Sequence, residues 1–127
     1  FSPIRANNML KKIMGHKVWK RPICIEEDYL LVLDGHHRFE VAKKMGLRYI
    51  PCALFSYKDP DVKIWSLRES EYVDKEEVIK RAVEGNIYPY KTVKHAFPYR
   101  VKNIDLDLSE LKYYSTYYDD DIVDYKG

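Results

Sequence analysis

Residues 30–38 read Leu30-Leu31-Val32-Leu33-Asp34-Gly35-His36-His37-Arg38, and the passage from apolar run to glycine to polar cluster decides the fold. Tyr29–Leu33 is uninterrupted apolar sequence, the pattern of a strand buried on both faces. Gly35 breaks that run. His37–Met45 then places Phe39, Val41, Ala42 and Met45 on one helical face, and Gly46 supplies a C-terminal stop. The strand is expected to lie centrally in a small sheet, with Leu31, Leu33 and Val41 buried.

The same stretch carries the chemistry. The first turn of a helix leaves backbone N–H groups without intrahelical partners. The aligned peptide dipoles add partial positive charge at that end. Together they suit a phosphate group. Gly35 allows close approach and unusual dihedrals. Arg38 adds a planar, bidentate anion clamp. His36 and His37 add donors that titrate near neutrality. Asp34 is the odd member, since a carboxylate beside an anion is repelled unless it holds a cation or takes a proton. The plain alternative is that Asp34 caps the helix and the histidines sit on its surface. Five consecutive polar or glycine residues at the end of an apolar strand favour the anion site. Zinc fits poorly, because adjacent histidines point apart and no cysteine or acid stands at zinc-ligand spacing.

Working outward, Ile4, Met9, Leu10 and Ile13 share a helical face after Ser2-Pro3, a serine cap followed by a first-turn proline, with Gly15 as the stop. Ile23–Ile25, Tyr49–Phe55 and Val62–Leu67 read as strands, the last two separated by the turn Lys58-Asp59-Pro60-Asp61. Asp74-Lys75-Glu76-Glu77 is a capping box that opens a helix through Val78, Ile79, Ala82 and Val83, closed by Gly85-Asn86. From Ile87 to Gly127 the pattern is irregular. The alternation predicts an α/β or α+β architecture, a small mixed sheet with packed helices.

The chain has 127 residues, one domain's worth, and is read as a single domain over 1–127. With 46% hydrophobic residues it has material for a core. Its net charge of +2, with acids and bases interspersed, argues against a nucleic-acid binder. No apolar run approaches the roughly 20 residues of a membrane span. Cys24 and Cys52 each sit in an apolar run and read as buried, reduced strand residues, which suits a cytoplasmic setting. The chain starts at Phe1 and is expected to lack an N-terminal segment.

A second cluster, Lys91-Thr92-Val93-Lys94-His95, follows Tyr88-Pro89-Tyr90. As a loop it offers two lysines, a hydroxyl and an imidazole to a carboxylate or phosphate. Trp65 reads either as a pocket wall or as core. Tyr113, Tyr114, Tyr117 and Tyr118, with Asp119-Asp120-Asp121, form a tail that packs against the body or a partner.

Residues 20–54 resemble the ParB/sulfiredoxin superfamily. The matching features are Arg21-Pro22-Ile23, Leu30–Leu33, the Gly35–Arg38 turn, Val41–Met45 and Ile50-Pro51. The string Asp34-Gly35-His36-His37-Arg38-Phe39 is most similar to the free L-serine kinases, as is the run from Glu77 through Tyr88-Pro89-Tyr90-Lys91-Thr92-Val93-Lys94-His95. The resemblance implies phosphorylation of L-serine to O-phospho-L-serine with ATP or ADP. It makes Asp34 a catalytic or Mg2+-organising acid and gives the nucleotide phosphates to Gly35, His36, His37 and Arg38. It gives the amino acid or its phosphate to Thr92 and His95, with Lys91 and Trp65 lining the same pocket. It also implies a general-base glutamate upstream of the first helix. Sulfiredoxin chemistry needs a nucleophilic cysteine where His36 stands. A ParB-type partition protein carries Gly-Glu-Arg-Arg and a helix-turn-helix, and neither is present. The competing reading is a nucleotide-binding regulatory or ParB-like DNA-associated module without kinase activity.

Overall fold

The computed structural model describes residues 2–89 and 91–111. Among these, the elements run α1 (Pro3–His16), β1 (Val18–Trp19), β2 (Ile23–Glu26), β3 (Leu31–Asp34), α2 (His36–Met45), β4 (Cys52–Phe55), β5 (Lys63–Ser66), α3 (Lys75–Glu84), β6 (Val93–Ala96) and β7 (Leu106–Asp107). A 3-10 turn at Leu108–Leu111 follows. No helix among the described residues is long and apolar enough to cross a membrane. Tyr90 and the tyrosine- and aspartate-rich tail lie outside the described residues.

The described residues divide into two compact units. The first comprises 2–23, 35–53 and 101–111; the second comprises 24–34, 54–89 and 91–100.

In the first unit, Ser2 caps α1 by accepting from the Arg5 N–H, and Pro3 occupies the first turn. The helix runs past Gly15, correcting the expected stop. Lys17 takes the left-handed conformation instead, with its N–H on the Ile13 carbonyl. Such a cap satisfies orphan carbonyls whichever residue adopts it. β1 pairs antiparallel with β7 through Val18↔Asp107 and Trp19↔Leu106. The core of this unit is Ala6, Trp19, Ile23, Val41, Ala42, Met45, Leu108 and Leu111. Gly46 closes α2 as its spacing predicts, at φ 71°.

In the second unit, β2 and β3 form an antiparallel pair with a bulge between Cys24 and Ile25. The sheet order β3-β2-β4 puts β3 at an edge, not at the centre as its apolar run suggests. Leu33 is buried, Leu31 only half so, and Tyr29 and Leu30 are exposed. Both belong to the turn before the strand, where Leu30 takes φ 56°. Hydrophobicity alone does not distinguish a central strand from an edge strand followed by a covered helix. Cys24 is buried, but Cys52, a first-unit residue at the start of β4, is exposed, correcting its assignment to the interior.

Asp74 caps α3 by accepting from the Glu77 N–H at 2.7 Å, and Gly85 ends the helix at φ 74°. The stretch 91–96, read as a loop, is largely strand β6. It pairs antiparallel with β5 through Lys63↔Ala96, Ile64↔His95, Trp65↔Lys94 and Ser66↔Val93. Long-range pairing overrides weak local propensity here.

Burial in the first unit sets a stability test. Ile23 is fully buried, whereas Ile4 is 74% exposed. Ile23→Ala should cost about 2–5 kcal/mol and Ile4→Ala within about 0.5 kcal/mol, read by urea unfolding.

Candidate functional site

The turn between β3 and α2 is built on Gly35. It adopts φ 94°, ψ 31°, a left-handed conformation that costs a residue with a Cβ. It is also the N-cap of α2, and no side chain caps that helix. Asp34 therefore does not serve as the helix cap. It is exposed at the last position of β3, paired with Cys24.

Arg38 explains why glycine is needed for a second reason. Its guanidinium lies directly over the turn. A Cβ on residue 35 would fall 2.8 Å from Nη2, 3.2 Å from Cζ and 3.3 Å from Nε. The same Nη2 donates to the Pro22 carbonyl at 3.3 Å, which ties the start of α2 to the residue before β2. A rigid, permanently charged fork is thus held at the positive end of a 10-residue helix. That arrangement suits an oxyanion of two or more oxygens.

His37 is half-buried at the second position of α2. Its Nε2 accepts from the Ser2 N–H at 2.9 Å, so that nitrogen serves the start of α1 and the ring proton is on Nδ1. His36 is exposed.

The remaining candidates belong to the second unit. Thr92 is 1% exposed, and its Oγ1 has no hydrogen-bond partner among the described residues. Its carbonyl accepts from the Leu67 N–H at 2.7 Å, extending the β5–β6 ladder by one step. Lys91 is exposed, at φ 57°. Antiparallel partners share a face, and successive residues alternate. Ile64↔His95 and Trp65↔Lys94 therefore put His95 and Trp65 on opposite faces of this ladder. Trp65 is 44% exposed, so it is not core.

Two residues that sequence reasoning did not single out complete this region. Glu26 is buried; its Oε1 accepts from the Asp28 and Tyr29 N–H groups at 2.8 and 2.7 Å, and its Oε2 from the Tyr57 N–H at 3.5 Å. A carboxylate immediately before a turn, able to reach forward to its amides, is the signal in the sequence. Tyr57 is buried, and its hydroxyl lies 2.7 Å from His95 Nε2. Burial, reinforced by the Glu26 carboxylate, pushes the Tyr57 phenol far above its ordinary value. No local pattern signals that contact. Among the described residues no group of three or more His, Cys, Asp or Glu is placed to hold a metal ion.

No family model matches the chain. Its sequence is similar to an ATP-dependent L-serine kinase of Desulfurococcus mucosus, 34% identical over 64 residues, covering 47% of this chain and 25% of that protein. It is also similar to an ADP-dependent L-serine kinase of Thermococcus kodakarensis, 28% identical over 76 residues, covering 57% of this chain and 31% of that protein. The matched stretch thus spans about a quarter to a third of these relatives. A free serine kinase solved in complex with AMP superposes with a TM-score of 0.78 at 16% identity, over 87% of each chain.

The turn makes a direct prediction. Gly35→Ala should destabilise by about 1–3 kcal/mol from backbone strain and displace the Arg38 guanidinium. Urea unfolding measures the first effect and a crystal structure of the variant the second. The chain has the α/β fold of free serine kinase, and its sequence similarity to L-serine kinases carries the same likeness.

Proposed function

We propose that this chain forms the nucleotide-binding core of a kinase that phosphorylates free L-serine to O-phospho-L-serine, with ATP or ADP as donor. The observation that carries this reading is the start of α2: a left-handed glycine, no side-chain cap, and the Arg38 guanidinium packed over the turn. The names of the similar proteins, which include both ATP- and ADP-dependent L-serine kinases, supply the reaction class.

In this reading Gly35, His36, His37 and Arg38 take the nucleotide phosphates. Thr92 and His95, with Lys91, take the amino acid or its phosphate; Trp65, on the ladder face opposite His95, is left out of that imidazole's contacts. A buried hydroxyl with no partner costs about 1–3 kcal/mol, which supports giving Thr92 a ligand. The serine oxygen attacks the terminal phosphorus. The bond from that phosphorus to its bridging oxygen breaks, releasing ADP from ATP or AMP from ADP. The hydroxyl proton passes to a carboxylate.

Mg2+ belongs to this reading as the group that neutralises phosphate charge when bound. It is typically held by one or two carboxylates together with substrate phosphates, so a single exposed acid beside the phosphate turn suits it. Asp34 is that acid. A cytoplasmic setting is also part of the proposal, supported by Cys24 and Cys52 forming no disulfide among the described residues.

Two variants test the proposal. Arg38→Ala should weaken ATP and ADP binding by roughly 30- to 150-fold, about 2–3 kcal/mol. Calorimetry showing unchanged affinity would refute the phosphate site. For Asp34→Asn, phosphoserine formation by the full-length protein should fall about 10²- to 10⁴-fold. Its melting temperature should hold, because asparagine keeps the shape of the side chain at the exposed end of β3. Equal turnover in variant and wild type would move the chemistry elsewhere.

A further inference from the structure

The contact between Tyr57 and His95 has the geometry of an orienting hydrogen bond. The phenol oxygen is 2.7 Å from Nε2. The ring planes differ by only 11°, with centroids 5.9 Å apart. The phenol oxygen is thus within hydrogen-bond reach of the imidazole nitrogen. Tyr57 is no stray surface residue. It is buried, its N–H donates to Glu26 Oε2 at 3.5 Å, and its carbonyl accepts from Lys75 Nζ at 2.9 Å. His95 also lies nearly parallel to Phe97, at 7° and 6.0 Å. The imidazole therefore has two aromatic neighbours, and its own strand is paired with β5.

We propose that Tyr57 is a positioning residue for His95: its O–H donates to Nε2 and so holds the imidazole neutral, with the ring proton on Nδ1, in one orientation. This rests on His95 serving the amino-acid side of the proposed kinase site. The chemistry favours the stated direction of donation. A phenol raised by burial, and further by Glu26, keeps its proton throughout the range in which an imidazole titrates. A donor on Nε2 also favours the neutral ring, since it bonds the lone pair that protonation would consume. Among the described residues, Lys75 donates to the Tyr57 carbonyl and also lies 5.8 Å from its ring centroid, and Glu26 accepts from the Tyr57 N–H.

The test is nitrogen-15 NMR of the imidazole in the full-length protein, wild type and Tyr57→Phe. In the wild type, Nε2 should report as unprotonated and Nδ1 as protonated. In Tyr57→Phe, the tautomers should mix and the His95 titration should move to higher pH. Phosphoserine turnover should fall about tenfold, as for loss of one oriented hydrogen bond, with no further loss when Tyr57→Phe is added to His95→Ala. A proton on Nε2 in the wild type overturns the proposal, as does an unchanged tautomer in the variant. If Tyr57→Phe fails to fold, the wild-type tautomer alone decides. Absence of turnover in the wild type would remove the kinase reading and leave the imidazole result to judge Tyr57.

Discussion

The missing side chain of Gly35 is the constraint on which the candidate site depends. Its left-handed backbone turns the chain from β3 straight into α2. The space where a Cβ would lie is taken by the Arg38 guanidinium, within 2.8 Å of that position. One residue thus meets a conformational and a steric demand together. The guanidinium then reaches the Pro22 carbonyl, which fixes the start of the helix against the residue that leads into β2. From there Val41, Ala42 and Met45 fall on the buried side of α2. Glycine at position 35 and arginine three residues later are one device rather than two.

The second unit is organised by polar groups placed where apolar ones would be expected. Burying a carboxylate is costly unless it is well hydrogen-bonded. Glu26 meets that condition with three backbone N–H donors, from Asp28, Tyr29 and Tyr57. Lys75 extends the arrangement by donating to the Tyr57 and Asp59 carbonyls, which anchors the start of α3 to the turn after β4. At the other end of α3, the Arg81 guanidinium lies 4.0 Å over the Tyr88 ring, whose hydroxyl donates to the Tyr72 carbonyl. Such networks hold elements in place by direction as well as by area.

This division of labour accounts for a fold shared at 16% identity. Core positions accept swaps among residues of similar volume. The turn into α2 uses main-chain geometry, one glycine and one arginine, so few positions are needed to keep it. The rest of the sequence is free to diverge while the strand, turn and helix persist.

The sequence alone established the features that depend on local backbone chemistry. The Ser2 and Asp74 caps, the Gly46 and Gly85 stops, the break at Gly35 and the amphipathic face of α2 all follow from dihedral preferences and periodicity. Tertiary structure decided whatever depends on partners distant in the chain. It placed β3 at an edge, because the neighbours of a strand are not written in its own hydrophobicity. It made residues 93–96 a strand, since only pairing with β5 stabilises so polar a segment. It put Trp65 and His95 on opposite faces through the register of that ladder. Tyr57 and His95 stand 38 residues apart in the chain. No local pattern links them, and only folding brings that hydroxyl to that nitrogen.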